Sequence, residues 1–351
     1  MVDYEVFDLG DAVLQCGLTL RDAKLAYKTY GELNSKKDNV IIFPTWYSAT
    51  HLDNEFMIGK GMAVDPTKYF IISPNMLGNG FSSSPSNTAA PYDRGCFPKV
   101  TVYDQIKLQH KLVTEKFGIE KIKLVTGWSM GAAQSFQWGA SYPDMVERIL
   151  PFAGAARCSR HNFVFLEGVK AALTADAAFM DGMYDEQPKK GLRAAARVYA
   201  GWGFSQTFYR KKLELTVPKR PFDGKPADVP WNYSSLEDFL MFFWEGFFLG
   251  KDANNLLTLL DCWQTADISG DPKYGGNFEK ALAGIKSKAI VMPASTDLYF
   301  PPADSEYEVK HMPNAELRVQ ETDWGHFGGD PRGTSPDIVK VDSAIKELLA
   351  S

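Results

Sequence analysis

Short, continuously apolar segments alternate with longer amphipathic segments in two separate parts of this 351-residue chain. Such apolar runs are typical of strands buried on both faces, which occur in parallel sheets covered by helices. The pattern predicts strands at residues 40–43, 69–72, 122–125, 148–152, 289–292 and 317–319, and helices at 101–117 and 337–349. The chain is therefore predicted to be an α/β protein, with a mostly parallel central sheet and helices on both faces.

Two parts of the chain depart from this alternation. Residues 4–31 contain two alternating runs around Gly17 and predict an antiparallel hairpin at the sheet edge. Residues 160–285 are helical in pattern and aromatic-rich, and the proline- and glycine-containing segment 217–231 is predicted to be a loop. We expect a core made of residues 1–165 and 285–351, with residues 166–284 inserted as a helical lid. An independent second domain is the alternative.

Composition and charge exclude several classes of function. The net charge is −5 and no basic run is long enough to follow a phosphate backbone, so nucleic acid is not an expected partner. The four cysteines have neither C-x-x-C nor metal-like spacing, which indicates reduced thiols in a reducing compartment. The start of the sequence does not read as a signal peptide, and the apolar stretch 239–249 is too short to span a bilayer. We expect a cytoplasmic protein without membrane contact, metal or bound cofactor.

The segment GWSMG at residues 127–131 matches G-x-S-x-G and lies between a predicted strand and a helix-like run. A nucleophile in this turn adopts a strained positive φ, and side chains at the glycine positions would collide with neighbouring backbone. The helix that follows directs its first N–H groups towards the place where an oxyanion develops. Ser129 is therefore the predicted nucleophile, and the N–H of Met130 the first oxyanion-hole donor.

A serine nucleophile needs a base and an acid that orients the base. In this type of fold the chain order is Ser, Asp, His, which selects His326 in the glycine-rich segment TDWGHFGG. His51 follows the first core strand but precedes the serine. Asp297, on the loop after the preceding strand, is the expected acid, and Asp323 and Asp330 are the alternatives.

Two loops and several aromatic residues are expected to complete the site. The loop 43–51 follows the first core strand and supplies the second oxyanion donor, Trp46 or alternatively Tyr47. The polar loop 74–84 either faces the same pocket or forms a flexible turn. The lid aromatics either line an apolar pocket or belong to the core, and they are Trp202, Phe204, Phe242, Phe243 and Trp244. The expected substrate-contacting residues are Tyr47, Trp128, Phe204 and Phe327.

With these residues in place, the chain resembles the homoserine O-acetyltransferase branch of the α/β-hydrolase superfamily. The resemblance extends over nearly the whole chain, and its segments include PTWYSATH, GWSMGAAQSFQWGASYPDMV, GLRAAARVYAGWGF, LGKDANNLLTLLDCWQTADIS, STDLYFPP and WGHFGG. It implies an α/β-hydrolase fold with a helical lid and a homodimer formed through the lid helices. It also implies a triad and two oxyanion donors, namely Ser129, Asp297, His326, Trp46 and Met130.

Two positions differ from that family's pattern. The transferases carry an aspartate directly after the catalytic histidine and a lid arginine, which hold the amine and carboxylate of homoserine. Here Phe327 follows the histidine, Ser205 lies nearest the arginine position, and Arg210 is the next cationic residue. Because an amino acid needs paired charges in a water-poor pocket, we expect a hydrolase of a small or aromatic acyl ester or amide, working through an acyl-enzyme. The alternatives are an acyl-CoA-dependent O-acyltransferase and a non-catalytic binding protein of the same fold.

Overall fold

A computed structural model describes residues 3–219, 231–329 and 335–351. Its strands within these ranges are β1 Glu5–Val13, β2 Thr19–Tyr30, β3 Val40–Ile42, β4 Phe70–Pro74, β5 Leu124–Trp128, β6 Arg148–Phe152, β7 Pro218–Lys219, β8 Trp231–Asn232, β9 Lys288–Val291 and β10 Ala315–Leu317. Eight of the strands form one sheet in the order β1-β2-β4-β3-β5-β6-β9-β10, and β7 pairs with β8 separately.

The sheet is parallel except at one edge. Strands from β4 through β3, β5, β6 and β9 to β10 pair in parallel, whereas β1–β2 and β2–β4 are antiparallel. Every residue of β3, β4 and β5 is buried, which explains why these strands are mostly apolar and do not alternate between apolar and polar residues. The predicted mostly parallel sheet and the hairpin at its edge are confirmed.

The helices surround the sheet and fill the long segment between β6 and β9. Within the same described ranges they are α1 Val102–Lys111, α2 Met130–Ser141, α3 Arg160–Thr174, α4 Lys189–Gly203, α5 Gln206–Arg210, α6 Leu236–Phe239, α7 Gly246–Leu249, α8 Ala253–Gln264, α9 Phe278–Ala283, α10 Pro302–His311 and α11 Ile338–Ala350. Two π-helical segments, Leu112–Lys116 and Leu240–Glu245, continue α1 and α6. None of the helices described is long and apolar enough to cross a bilayer.

Local sequence accounts for where α1 begins. Thr101 caps the helix, because its side chain accepts the N–H of Asp104 while the Asp104 carboxylate accepts the N–H of Thr101. The helix predicted at 101–117 therefore begins as expected, but it changes to π geometry after Lys111. Residues 220–230 of the predicted loop 217–231 lie outside the described residues, and the lid boundaries at 165 and 285 stay a prediction.

Helix packing brings the helical segment between β6 and β9 against the edge of the sheet where the parallel strands have their carboxyl ends. Helix α2 packs on β5 and β6, and α11 packs on β6 and β9. In the long segment, α3 packs on α4 and α8, and α4 also contacts the 3-10 turn Gly325–Gly329 that follows β10. The predicted nucleophile, acid and base follow β5, β9 and β10. Because carboxyl ends of parallel strands share one edge of a sheet, these residues lie at the same edge.

Candidate active site

Ser129 occupies a sharp turn between β5 and α2. Its backbone has φ +58° and ψ −121°, a left-handed conformation that L-residues rarely adopt, and the residue is buried. A Cβ at Gly127 would lie 2.5 Å from the carbonyl carbon and oxygen of Gly131. A Cβ at Gly131 would lie 2.9 Å from the carbonyl oxygen of Pro44. Both glycines are therefore required sterically, as the motif predicts.

His326 and Asp297 form a buried pair. The Nδ1 of His326 lies 2.7 Å from Oδ2 of Asp297, and the other carboxylate oxygen accepts the backbone N–H groups of Tyr299 (2.7 Å) and Phe300 (3.2 Å). Since a carboxylate oxygen can only accept, Nδ1 carries the proton and Nε2 is free to act as a base. The imidazole lines the same cavity as Ser129.

The two predicted oxyanion donors lie on adjacent segments. Met130 is the first residue of α2, so its N–H has no acceptor within the helix. In residues 3–219, 231–329 and 335–351, the N–H of Trp46 has no protein acceptor either. Helix and loop are joined because Gln134 Nε2 donates to the carbonyl of Thr45 at 2.7 Å. The side chain of Gln134 and the absence of a Cβ at Gly131 together allow this close approach.

The polar loop 74–84 does not face the cavity. It packs behind the loop that carries Trp46: Asn79 Nδ2 donates to the carbonyl of Ala49 at 2.9 Å, and Asn75 Oδ1 accepts the N–H of His51 at 3.1 Å. The His51 ring is fully buried, and its Nδ1 lies 3.0 Å from Asn75 Nδ2. The expectation that this loop lines the pocket is therefore wrong. Its asparagines are used to hold the neighbouring loop.

A small cavity of about 30 Å³ lies beside Ser129. Most of its lining is aromatic, and the full set is Trp46, Tyr47, Ser48, Trp128, Ser129, Tyr199, Trp244, Phe247, His326 and Phe327. Three of the expected substrate-contacting residues, Tyr47, Trp128 and Phe327, line it. Phe204 does not: it lies behind Phe327, with the two rings stacked at 4.4 Å between centroids. That expectation is corrected because Phe204 supports a lining residue instead of forming the surface.

The cavity wall has little charge. Burial raises the pKa of Tyr47 well above its ordinary value, and burial raises that of Tyr199 in the same way, so both phenols stay neutral. The lining residues include no aspartate, glutamate, lysine or arginine, and His326 is the one histidine among them. Neither residue near the expected arginine position contributes a charge there: Ser205 caps α5 and donates to the carbonyl of Asp323, and Arg210 is exposed.

Of the two alternative acids, Asp323 does not orient the base, whose Nδ1 faces Asp297 instead. Asp323 is 41% exposed and pairs with Lys211 at 2.6 Å. Asp330 lies outside the described residues. No three His, Cys, Asp or Glu side chains within the described ranges are arranged to hold a metal ion.

Three lining residues were missed by the sequence analysis: Ser48, Tyr199 and Phe247. Tyr199 belongs to the quoted segment GLRAAARVYAGWGF and lies on the buried face of α4. Helical periodicity separates buried from exposed faces, but it does not show which buried residue borders a cavity. Ser48 has φ +62°, which the sequence gives no means to detect.

Comparison with known proteins now decides the family. The sequence profile of the alpha/beta hydrolase fold matches residues 38–331. This chain belongs to the α/β-hydrolase family. It is 38% identical to an ethyl acetate hydrolase of Pseudomonas veronii, over 99% of this chain and 96% of the relative. A solved acetylester hydrolase from Corynebacterium glutamicum is 37% identical with a TM-score of 0.90, over 99% of this chain and 96% of that one.

The homoserine O-acetyltransferase branch is also related. The enzyme of that name from Bradyrhizobium diazoefficiens is 31% identical, over 89% of this chain and 82% of its own. The predicted superfamily and the relation to this branch are confirmed. The chain is an α/β-hydrolase-fold enzyme, and its similarity to named esterases supports the hydrolase expectation over the acyltransferase alternative.

Proposed function

We propose that this enzyme is a serine esterase that hydrolyses esters of short acyl groups. The observation that carries the proposal is the buried Asp297–His326 pair, which borders the same small, nearly uncharged cavity as a strained serine. Named relatives that act on ethyl acetate and acetyl esters support the same substrate class. The aromatic side chains crowded around Ser129 and the acetyl-ester relatives favour a short acyl chain over an aromatic acyl group.

The proposed reaction has two halves. Ser129 Oγ bonds to the ester carbonyl carbon while its proton passes to His326 Nε2, and the N–H groups of Met130 and Trp46 stabilise the oxyanion. The carbon–alkoxy bond then breaks, and the imidazolium gives its proton to the leaving alcohol. Water, deprotonated by the same imidazole, attacks the acyl-enzyme, and the carboxylic acid and free Ser129 are released. Asp297 holds the imidazole in the tautomer that this sequence of steps needs.

The cavity wall favours water over homoserine as the acceptor. An amino-acid acceptor would bring an ammonium and a carboxylate into a site whose described lining has no carboxylate for the former and no lysine or arginine for the latter. Phe327 stands where the transferases present a carboxylate, and its ring packs against four phenylalanine and tryptophan rings. An apolar alcohol meets no such penalty, so transfer to alcohols is the outcome that a test must separate from hydrolysis.

The proposal is tested with acetyl, butyryl and benzoyl esters of one alcohol, with and without added alcohols. We expect acetate release to be fastest, benzoate release to be slowest, and acid to exceed transfer product. Ser129→Ala should lose at least about 10³-fold in kcat and all labelling by a phosphonate reagent. Asp297→Asn should lose about 10³- to 10⁴-fold while the cavity stays intact. Faster formation of transfer product would favour the acyltransferase, and absence of wild-type labelling would favour a binding protein.

We also propose that the enzyme is a cytoplasmic homodimer joined through lid helices. Apolar side chains are exposed on α3, which crosses the predicted lid boundary, and on the π-helical segment within the predicted lid: Phe163 and Val164, and Met241 and Phe242. Val164→Glu with Phe242→Glu should convert a dimer to a monomer in light-scattering measurements. A wild-type monomer at micromolar concentration would contradict the dimer.

Cell fractionation tests the proposed cytoplasmic location, which the unpaired cysteines suggest.

A further inference from the structure

The histidine that serves as the proposed base lies on a segment with little intrinsic rigidity. The turn Gly325–Gly329 contains three glycines in five residues, and glycine loses more backbone freedom on folding than any other residue. Asp297 holds the imidazole at one atom, Nδ1. One hydrogen bond limits the distance to that atom but leaves the ring able to swing about it. The geometry of the base therefore depends on further contacts.

Trp128 makes two such contacts with His326. Its indole Nε1 donates to the backbone carbonyl of His326 at 3.1 Å, which fixes the loop. Its ring also stacks on the imidazole, with centroids 4.5 Å apart and planes inclined by 30°. Tyr299 packs against the same imidazole at 4.7 Å and 65°, so the ring has a second aromatic neighbour. Trp128 and His326 are both buried, so water does not compete for the indole hydrogen bond.

The position of Trp128 in the chain gives these contacts a catalytic consequence. It directly precedes Ser129, so one rigid side chain connects the nucleophile turn to a base that lies 198 residues after Trp128 in the chain. The indole also meets the ring of Trp46 edge-on, at 4.8 Å and 82°. The loop leaves room for the indole at Gly329, since a Cβ at this position would lie 3.2 Å from Trp128 Cδ1. Trp128 is therefore the chain neighbour of the proposed nucleophile and contacts both the proposed base and one proposed oxyanion donor.

We propose that Trp128 is a positioning residue that holds His326 in register with Ser129. This inference rests on the proposed esterase function. Trp128 also lines the cavity, so its role as a positioning residue must be separated from simple contact with substrate. A displaced base slows both acylation and deacylation, whereas a lost substrate contact weakens binding.

The test compares Trp128→Phe with Trp244→Phe. Trp244 lines the same cavity, and among the described residues its ring contacts are with Tyr199, Phe204, Phe243 and Phe327, not with His326. We expect Trp128→Phe to lower kcat about tenfold with little change in KM, because one positioning hydrogen bond is lost. It should slow phosphonate labelling of Ser129 by a similar factor. We expect Trp244→Phe to change mainly KM.

A second variant removes the N–H donor without changing shape. Benzothienylalanine at position 128 replaces the indole N–H by sulfur and should fold even where Trp128→Phe does not. It should also lower kcat and the labelling rate, and thermal unfolding should show that it is folded. Unchanged kcat and labelling in both 128 variants would overturn the positioning role. A wild-type enzyme with neither esterase activity nor labelling would instead overturn the proposed function.

Discussion

Ser129 adopts a backbone conformation that costs free energy, and its neighbours remove the steric obstacles to it. A positive φ at a residue with a side chain costs on the order of 1 kcal/mol or more. Gly127 and Gly131 face each other across the turn so closely that a Cβ on the former would touch the carbonyl group of the latter. The strain is therefore local, and its function is to present one hydroxyl to the cavity.

This steric argument predicts the effect of Gly127→Ala on stability. The added methyl carbon, 2.5 Å from two backbone atoms, should force the turn apart and lower the free energy of unfolding by about 2–3 kcal/mol. Gly201→Ala is the matched control, because Gly201 is exposed within α4 and a methyl group added there would have no neighbouring atom within 4 Å. It should raise stability by about 0.5–1 kcal/mol. Urea unfolding measures both, and equal effects would contradict the steric role of Gly127.

At the scale of elements, the sequence predicted the sheet well because buried parallel strands leave a simple signal. Continuous apolar runs located β3, β4, β5 and β6, and the motif located the turn before α2. The three residues of the predicted triad also lie together, because chain order and strand ends constrain where they can be. The direction of individual side chains could not be predicted from the sequence in the same way. Phe204 and the loop 74–84 turn away from the cavity, since which buried face borders an empty space depends on tertiary packing.

A contact between elements that the sequence did not predict joins the helical segment between β6 and β9 to the loop carrying Trp46. Lys251, in the turn between α7 and α8, donates from Nζ to the carbonyl of Ser48 at 2.9 Å. Ser48 lines the cavity and has φ +62°. The lysine therefore holds a strained residue two positions from a proposed oxyanion donor.

Removing that contact should affect activity more than stability. Lys251→Met retains the aliphatic stem but loses the ammonium, and we expect kcat/KM to fall by up to about tenfold as the loop relaxes. The free energy of unfolding should fall by less than about 1 kcal/mol. Lys286→Met is the control, because Lys286 pairs with Asp144 on the exposed surface and should leave kcat/KM unchanged. Equal activity of the two variants would show that the contact between Lys251 and Ser48 does not affect the conformation of the loop that carries Trp46.

For the whole molecule, stability should depend on a carboxyl group buried between α10 and the segment after β6. Glu308 is 2% exposed, and its Oε1 accepts the N–H of Ala156 at 2.6 Å. Burial, aided by the nearby Asp304 carboxylate, raises the pKa of Glu308 to about 8 against the opposing effects of the Ala156 N–H and of Arg157. Burial also raises the pKa of Asp304, which faces Arg157 and His161. Folded protein therefore holds a proton on Glu308 at pH values where the unfolded chain has lost it.

The direction of the resulting pH dependence follows from this difference in bound protons. Glu308 stabilises the fold fully below its ordinary pKa of 4.5, and this contribution is lost as the pH rises towards about 8, by on the order of 4 kcal/mol. Glu308→Gln cannot ionise, so the variant should gain stability relative to wild type between pH 5 and pH 8 and keep a constant difference above that. Urea unfolding at each pH measures the free energy of unfolding of both proteins. Glu306→Gln is the control, because Glu306 is exposed on the same helix, and its stability should follow that of wild type. Parallel curves for Glu308→Gln and wild type would mean that Glu308 is already ionised in the folded protein.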